Sequence, residues 1–354
     1  MHTVLASTIA AITPLDQDLI AKGQAHLDDL TKPRGSLGRL EEIALNLYRI
    51  AEGNAPKVDP ARIYTCAGDH GVTAEGVSLF PQEVTRQMVY NFLNGGAGIN
   101  VLSQTAGIDL KIVDAGVCGD HFEAHPKLIE KRVAQGTSSF LTGPAMTREQ
   151  CEQALVNGIE LADQAASEGI AAIGTGDMGI GNTTPSTALY CAYLGLSPSL
   201  LTGPGTGLDV SAVRRKADII EKGLRANESA VVSGDPVRVL AALGGLEIAT
   251  IAGLILGAAK NRMAVAVDGF ISTAAYTAAW RICPLVKDYC FISHQSAEPG
   301  HAAAVSHLGM EPLLHLGMRL GEGTGAAMAL FVMRSAADIF NNMATFSQAG
   351  VSTS

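Results

Sequence analysis

Charged residues are scarce in this chain: Asp, Glu, Lys and Arg make up 17% of its 354 residues, whereas apolar residues make up 47%. In soluble proteins about a quarter of all residues are usually charged. The deficit predicts a large buried core, and it indicates that part of the surface is covered by a partner subunit. The length permits two domains of ordinary size or one large α/β domain with an appendage, and we favour the second arrangement.

Clusters of basic residues are also missing, and the formal net charge is −9. Nucleic acids and anionic membranes attract proteins mainly through Lys and Arg, so neither is expected as a partner. The composition favours a small molecule as the partner.

No apolar run is long enough to span a bilayer. The longest, IATIAGLILGAA at 248–259, covers 12 residues and predicts a core helix. The first residues, MHTVLASTIAAITPLDQ, lack the basic and apolar regions of a secretion signal. The six cysteines include no CxxC pair and no tight framework, so they predict reduced thiols in a cytoplasmic protein.

Short apolar runs that end in Gly or an acid recur along the chain and predict buried strands. They lie at 62–71, 110–117, 170–179, 264–272 and 288–296. Segments with helical periodicity lie between them, for example at 147–168 and 210–232. Buried strands that alternate with helices predict βαβ units and an α/β fold with a parallel sheet covered by helices.

Polar residues at the ends of these runs should share one edge of the sheet. Ligands of such sheets bind beyond the carboxyl ends of the strands. We therefore expect the site among the side chains at these ends, which are Asp69, His70, Asp114, Asp177, Asp268, Ser293 and His294.

Helical patterns fill both ends of the chain. They lie at 15–30, 37–52 and 325–345. Ends of the same type that flank an α/β body are expected to pack together. We predict a large domain at 55–305 that carries the site, and a small helical domain formed by 1–54 and 306–354.

A glycine pattern, GTGDMGIGNTTPS at 174–186, contains GxGxxG at Gly174, Gly176 and Gly179. In dinucleotide-binding folds an acid that binds the ribose follows about 20 residues later. The corresponding stretch here, YLGLSPSL, has no acid. This argues against a nicotinamide dinucleotide, although a nicotinamide-dependent oxidoreductase stays an alternative.

The second half of this stretch favours a phosphate site. Gly181 frees the backbone, Asn182 and Thr183 are common at helix N-caps, and Pro185 suits a first helical turn. Amides at a helix N-terminus can cradle a phosphate. A tight turn between strand and helix would use the same residues, so both interpretations stay open.

Another glycine stretch, GPGTGLD at 203–209, precedes Arg214, Arg215 and Lys216. It could close over a ribose phosphate, with one basic side chain as the counter-charge. Charged residues on a helix are also typical of a solvated surface.

Two groups of histidines and acids lack the spacing of a standard metal site. They are Asp69, His70, Asp120, His121 and His125, and, further along, His294, Glu298 and His301. We expect no metal, and we interpret the first group as solvent-facing or loop-bracing residues. The role of the second group stays open.

Glu322 lies between two glycines in MRLGEGTGAAMAL at 318–330, ahead of an apolar helical run. One interpretation is an acid in the first turn of a helix, where the helix dipole favours negative charge. The flanking glycines favour another, in which the carboxylate is presented where a ligand closely approaches the backbone.

Several stretches together resemble one family, the nicotinate-nucleotide–dimethylbenzimidazole phosphoribosyltransferases of cobalamin lower-ligand synthesis. They run in order through nearly the whole chain and are TKPRGSLGRLE, AGDHGV, GVSLFPQEVTRQMVYNFLNGGAGINVL, DAGV, GDMGIGNTTPS, GTGLD, VDGFIS, SHQSAEPGH and LGMRLGEGTGAA. The resemblance implies a Rossmann-like large domain, a small helical domain from both termini, a homodimer, and neither a metal nor another cofactor.

The resemblance also implies roles for individual residues, with Glu322 as the general base. The residues that bind the aromatic base are Phe80, Gln87, Met88, Asp177, Met178 and Leu320. The residues that bind phosphate and ribose are Gly179, Ile180, Gly181, Asn182, Thr183 and Gly205, with Lys216 and Ser296 as further phosphate or nicotinate contacts. Asp177 stands where the family commonly has Glu, so the reach of this second carboxylate is shorter by one methylene.

The implied reaction moves 5-phosphoribose from nicotinate mononucleotide to 5,6-dimethylbenzimidazole and gives α-ribazole 5′-phosphate and nicotinate. Nicotinate leaves from a ring nitrogen that is already cationic, so no pyrophosphate and no Mg²⁺ are needed. The attacking nitrogen becomes cationic unless Glu322 takes the proton from the other nitrogen of the base. The alternatives are the oxidoreductase and a nucleotide-binding module without turnover.

Overall fold

The computed structural model describes residues 1–205 and 207–352. Within these residues the chain forms six β-strands and sixteen α-helices. The strands are β1 (Ala61–Gly68), β2 (Asp109–Gly116), β3 (Leu128–Glu130), β4 (Ala172–Met178), β5 (Ala264–Val267) and β6 (Cys290–Ile292). The helices are α1 (Thr3–Ala11), α2 (Asp18–Asp29), α3 (Arg39–Ile50), α4 (Glu83–Leu93), α5 (Gly98–Ala106), α6 (Arg148–Ser167), α7 (Thr183–Leu194), α8 (Pro198–Leu201), α9 (Val210–Ala226), α10 (Glu228–Val231), α11 (Pro236–Leu243), α12 (Leu246–Lys260), α13 (Phe270–Ile282), α14 (Pro299–His307), α15 (Thr324–Asn342) and α16 (Phe346–Ala349).

The strands form one sheet in the order β3-β2-β1-β4-β5-β6, and all its pairings are parallel. This confirms the predicted α/β class and the Rossmann-like parallel sheet. The strand order reverses between β1 and β4, which creates a crevice beyond the carboxyl ends of these strands. The topology therefore predicts a ligand site at the end of β4, next to Asp177 and Met178.

Helices cover both faces of the sheet. The apolar run predicted to form a core helix lies in α12, where every residue from Leu246 to Ala259 is buried. This helix packs against β1, β2, β4 and β5, and α15 packs against β1, β4 and β5. Because both helices cover the same strands, they lie on opposite faces, and all eight residues of β1 are buried. Among the described residues, no helix is both long enough and apolar enough to cross a membrane.

Two local predictions are incomplete or wrong. The short strand β3 was not predicted, because three partly exposed residues do not form an apolar run. The helix predicted at 210–232 is interrupted at Asn227, where α9 ends and α10 follows. The buried side-chain amide of Asn227 donates to the carbonyl oxygens of Phe140 and Gly223, at 2.7 and 2.9 Å, and this holds the break in place.

Helices from the two ends of the chain pack together. The rings of Tyr48 and Phe340 stack with centroids 5.0 Å apart, and Nε2 of His26 lies 2.7 Å from the carbonyl oxygen of Phe340. Leu30 and Thr345 form an antiparallel bridge. The first helix, α1, contacts α6 and α12 instead. The predicted division into a large domain and a terminal helical domain stays a prediction.

Candidate active site

A cavity of about 260 Å³ lies beyond the carboxyl ends of the strands, where the sequence predicts a site. Eleven of the predicted site residues line it, namely Phe80, Asp177, Met178, Gly179, Ile180, Gly181, Asn182, Thr183, Gly205, Ser296 and Leu320. Four do not, namely Gln87, Met88, Lys216 and Glu322. Of these four, Glu322 directly follows Gly321 of the cavity wall, and Lys216 contacts Thr183 of that wall.

Gln87 and Met88 lie on α4, and neither of them lines the cavity. Gln87 is exposed, and Met88 is half-buried against the hydrophobic core. Thr85 of the same helix is buried and contacts the glycine-rich loop, because its Oγ1 accepts the N–H of Ile180 at 3.1 Å. The role of Gln87 and Met88 in binding an aromatic base stays a prediction.

The glycine-rich loop between β4 and α7 forms one wall of the cavity. Gly181 has a left-handed backbone with φ +84°, and an added Cβ would lie 2.9 Å from Cγ2 of Thr73. Asn182 is the N-cap residue, but its side chain does not cap the helix; it donates to Oδ2 of Asp177 at 3.0 Å. Asn182 therefore occupies the predicted N-cap position, but its side chain ties the loop to β4 instead of capping the helix.

Several amides of this loop already have partners. The N–H groups of Asn182 and Thr184 donate to the carbonyl oxygens of Gly179 and Gly181, at 3.1 and 2.9 Å. The Ile180 amide is held by Thr85, and Pro185 has no N–H. Among the described hydrogen bonds, the amides of Gly179, Gly181 and Thr183 in this loop have no acceptor.

Lys216 is the basic residue of α9 that turns inward, whereas Arg214 and Arg215 are exposed. Its Nζ donates to Oγ1 of Thr183 at 2.6 Å, so the ammonium group lies directly behind the cavity wall. Burial lowers the pKa of Lys216 to about 8, and the negative charge of Glu298 opposes this shift.

Glu322 lies in a strained segment immediately before α15. Gly321, Glu322 and Gly323 all have left-handed φ values, of +80°, +65° and +99°. Residues other than glycine rarely adopt this conformation. Oε2 of Glu322 accepts the N–H of Ile99 at 3.1 Å, and the side chain is nearly buried. The segment precedes the helix, so the interpretation of Glu322 as a first-turn acid is wrong.

Gly176 allows this segment to lie directly on the sheet. A Cβ at Gly176 would be 2.3 Å from the carbonyl oxygen of Glu322, closer than real contacts permit. Gly174 and Gly176 both lie inside β4, whereas a dinucleotide fingerprint needs its glycines in the turn after the strand. Gly174 and Gly176 therefore serve chain packing, and the dinucleotide interpretation is wrong.

Two carboxylates next to the cavity have raised pKa values. Burial raises the pKa of Glu322, the Ile99 N–H opposes this, and the negative charge of Asp268 raises it further. Burial, and then the charge of Asp268, raise the pKa of Asp177 well above its usual range, although the hydrogen bond from Asn182 opposes this. Both groups are therefore better proton acceptors than exposed carboxylates.

Several polar residues of the cavity wall have no role predicted from the sequence, among them His294 and Arg319. Within residues 1–205 and 207–352, Nδ1 of the buried His294 has no hydrogen-bond partner. Nη1 of Arg319 donates to the carbonyl oxygen of Gly205 at 3.2 Å. Three sequence signals pointed to His294: its position near the end of a strand, its grouping with Glu298 and His301, and the stretch SHQSAEPGH.

Ser296 is held by a buried histidine. Its N–H donates to Nδ1 of His301 at 2.9 Å, and Nε2 of His301 lies 3.0 Å from Oγ1 of Thr273. Burial lowers the pKa of His301 to about 3, and the nearby His294 adds to this, so His301 is neutral. The open question about the second histidine group is thereby resolved for His301, which orients Ser296.

The first group of histidines and acids is dispersed. His70 pairs with Glu247 of α12 at 2.7 Å, whereas His121 pairs with Glu130 on the surface. In the part of the chain that the structure describes, no three His, Cys, Asp or Glu residues form a group that could hold a metal ion.

Comparisons with known proteins agree with this geometry. A family described as phosphoribosyltransferase matches residues 12–351. The chain is 65% identical over 353 residues, 99% of both chains, to nicotinate-nucleotide–dimethylbenzimidazole phosphoribosyltransferase of Nitratidesulfovibrio vulgaris strain DP4. It is 66% identical over 352 residues, again 99% of both chains, to the protein of the same name from Solidesulfovibrio magneticus.

A solved structure is also similar. The crystal structure of the protein of this name from Thermus thermophilus has a TM-score of 0.90 and 42% sequence identity. The match covers 96% of this chain and 100% of the other.

Proposed function

This chain belongs to the nicotinate-nucleotide–dimethylbenzimidazole phosphoribosyltransferase family, and from this membership we propose that it transfers 5-phosphoribose from nicotinate mononucleotide to 5,6-dimethylbenzimidazole. The products are α-ribazole 5′-phosphate and nicotinate. The observation that carries the proposal is a strained, nearly buried glutamate beside a cavity with a glycine-rich loop at a helix N-terminus.

The test incubates the protein with both substrates and measures nicotinate and α-ribazole 5′-phosphate by liquid chromatography and mass spectrometry. We expect equal amounts of the two products. Nicotinate release without the acceptor base would indicate a hydrolase, and binding without turnover would indicate a nucleotide-binding module. A mixture of benzimidazoles, purines and phenols as acceptors would reveal which flat base is preferred.

Nicotinate mononucleotide is proposed to lie in the cavity. Its phosphate faces the amides of Gly181 and Thr183, and the ammonium group of Lys216 lies behind them as the counter-charge. The nicotinate carboxylate faces the hydroxyl of Ser296 and Nδ1 of His294, both of which lie at the wall formed after β6. This arrangement places C1′ of the ribose near the end of β4.

The acceptor base is proposed to lie at the mouth of the cavity, next to Phe80 and Leu320 and within reach of Glu322. Both apolar side chains are more than half exposed, at 51% and 60%, which suits an aromatic ligand that covers them. One nitrogen of the base attacks C1′ as the bond from C1′ to nicotinate breaks, and nicotinate leaves with that electron pair. Glu322 takes the proton from the other nitrogen. Attack from the opposite side inverts C1′ from β to α.

Lys216→Met should weaken nicotinate mononucleotide binding and change its pH dependence. The bound phosphate stabilises the ammonium form, so in the wild type the affinity should be highest below pH 8 and fall as the pH rises through the lowered pKa of about 8. Calorimetry between pH 6.5 and pH 9 should show this fall in the wild type and a weaker, nearly flat affinity in the variant. Arg215→Met is the matched control, because Arg215 is exposed on the same helix. Parallel pH curves for wild type and Lys216→Met would contradict the assignment.

Asp177→Asn should lower kcat by about 10-fold or less. Glu322→Gln should lower it more, because loss of a positioned base costs about 10²–10⁴-fold in rate. Burial favours the protonated form of Asp177, and an amide resembles that form. The carboxylate is a methylene shorter than the usual Glu and is already held by Asn182. Steady-state kinetics of both variants test this, and equal losses would mean that the two acids share proton removal.

We also propose that the protein is a homodimer of the cytoplasm. The apolar side chains of Leu79 and Leu316 are both more than half exposed, and association would cover them. The six cysteines are free thiols, as in proteins of reducing compartments. Sedimentation equilibrium tests the dimer, and a monomer at micromolar concentration would contradict it.

A further inference from the structure

The backbone at Glu322 is strained and needs external support. Three successive residues, 321–323, have left-handed φ values, and the middle one is not a glycine. Such a conformation costs about 1–3 kcal/mol and persists only where the surroundings enforce it. Thr65 contributes by donating its hydroxyl to the carbonyl oxygen of Glu322 at 2.6 Å, and the Glu322 N–H donates to the carbonyl oxygen of Asp177 at 3.2 Å.

The strongest support comes from Asp268, which lies directly after β5 and is fully buried. Gly323 is the N-cap residue of α15 and offers no side chain to cap the helix. The Asp268 carboxylate takes that role: it accepts the N–H groups of Gly323, Gly325 and Ala326 at 3.0, 2.7 and 3.1 Å. Its own N–H donates to Oγ1 of Thr175 in β4 at 3.1 Å. The helix that follows Glu322 is thus fastened to the sheet by one carboxylate.

We propose that Asp268 is a positioning residue for Glu322. It fixes the backbone on which Glu322 is presented to the acceptor base, and its buried negative charge acts on the Glu322 carboxylate through space. The inference rests on the proposed function, since it takes Glu322 as the base.

Among the charged groups around Glu322, Asp268 has the largest effect on the Glu322 pKa. Asp177 faces the segment from β4, and His294 lies after β6 with Nε2 3.9 Å from Oδ1 of Asp268. The neighbours from β1 and α5 are the neutral groups of Thr65 and Ile99. Burial and then the charge of Asp268 raise the pKa of Glu322, against the Ile99 N–H.

Asp268→Asn tests the proposal, because asparagine keeps the shape but removes the charge and one of the two acceptor oxygens. We expect kcat to fall by about 10–10²-fold, as for small misplacements of catalytic groups. The KM for nicotinate mononucleotide should change much less. The acid limb of the kcat–pH profile should move to lower pH, since loss of the charge lowers the pKa of Glu322 and the carboxylate form then persists at lower pH.

Thr65→Val is the matched control. It removes one hydrogen bond to the same backbone with no change in charge or size. It should lower the unfolding midpoint and kcat while the acid limb stays where it is in the wild type. If Asp268→Asn and Thr65→Val behave alike, or if Asp268→Asn leaves the profile in place, Asp268 is a structural cap only and the proposal is overturned.

Two further measurements keep the test decisive. If Asp268→Asn does not fold, Asp268→Ser replaces it, because a hydroxyl still accepts one N–H without charge. If Asp268→Asn keeps a normal kcat and pH profile while Glu322→Gln loses activity, only the positioning role is refuted. If Glu322→Gln keeps full activity, the base assignment of the proposed function is refuted.

Discussion

Glu322→Gln is expected to lower kcat by about 10²–10⁴-fold, the usual cost of losing a positioned general base. In the wild type one carboxylate oxygen accepts the buried N–H of Ile99, which leaves the other for the acceptor base. The single oxygen of glutamine should stay with Ile99, so its NH₂ group would face the base. The base can still bind by accepting that N–H through its unprotonated nitrogen, but this removes the nucleophile from the reaction.

The loss should therefore appear in kcat, with little change in the affinity for nicotinate mononucleotide. The fall in kcat should be smaller with acceptors that have a more acidic N–H, because their proton is removed more easily without the enzyme. It should be smallest with an acceptor that is already anionic. Glu221→Gln is the control, since Glu221 is exposed on α9 and, among residues 1–205 and 207–352, pairs with Arg225 alone. A near-normal kcat for Glu322→Gln on dimethylbenzimidazole would refute the base assignment.

Five of the six strands could be predicted from the sequence, because strands buried on both sides read as continuous apolar runs. Their ends located Asp177 and His294 at one edge of the sheet, where the cavity lies. The same reasoning missed β3, whose residues are partly exposed. The sheet edge was thus predictable from hydrophobicity alone, whereas the roles of single side chains there were not.

The glycines around Glu322 show where such prediction ends. From the sequence they are expected to make room for a ligand that approaches the backbone. In the structure a Cβ at Gly323 would lie 2.9 Å from Cγ2 of Ile63, and the carbonyl oxygen of Glu322 fills the place of a side chain at Gly176. These contacts join residues far apart in the chain, and a sequence pattern does not specify which backbone will approach a glycine.

Asp268 is the clearest case of a residue whose role no local sequence pattern reveals. Its carboxylate accepts three N–H groups at the start of α15, and the first of these, from Gly323, lies 55 residues later in the chain. A local capping signal would lie in Gly323 or Thr324, whereas the cap comes from another strand end. Lys216 is the opposite case, because the helical period of α9 turns one of three successive basic residues inward.

Gly181→Val is expected to weaken nicotinate mononucleotide binding by about 10²-fold or more. A β-branched residue is strained at φ +84°, and its Cβ would lie 2.9 Å from Cγ2 of Thr73, so the loop must shift. The shift would misdirect the amides of residues 181 and 183. Each hydrogen bond to a charged group contributes about 1.5–3 kcal/mol, so the loss of two accounts for a change of this size.

Gly195→Val separates loss of the phosphate site from general strain. Gly195 caps the other end of α7, has a left-handed φ of +70°, and has no atom within 4 Å of an added Cβ. Both variants should lower the free energy of unfolding, because valine is strained at either position. Calorimetry should show that only Gly181→Val loses affinity for the nucleotide, while binding of dimethylbenzimidazole is largely kept in both. Normal nucleotide affinity in Gly181→Val, or an equal loss in Gly195→Val, would remove this loop from the phosphate site. Lys216 would then be a counter-charge beside a loop that does not bind the phosphate.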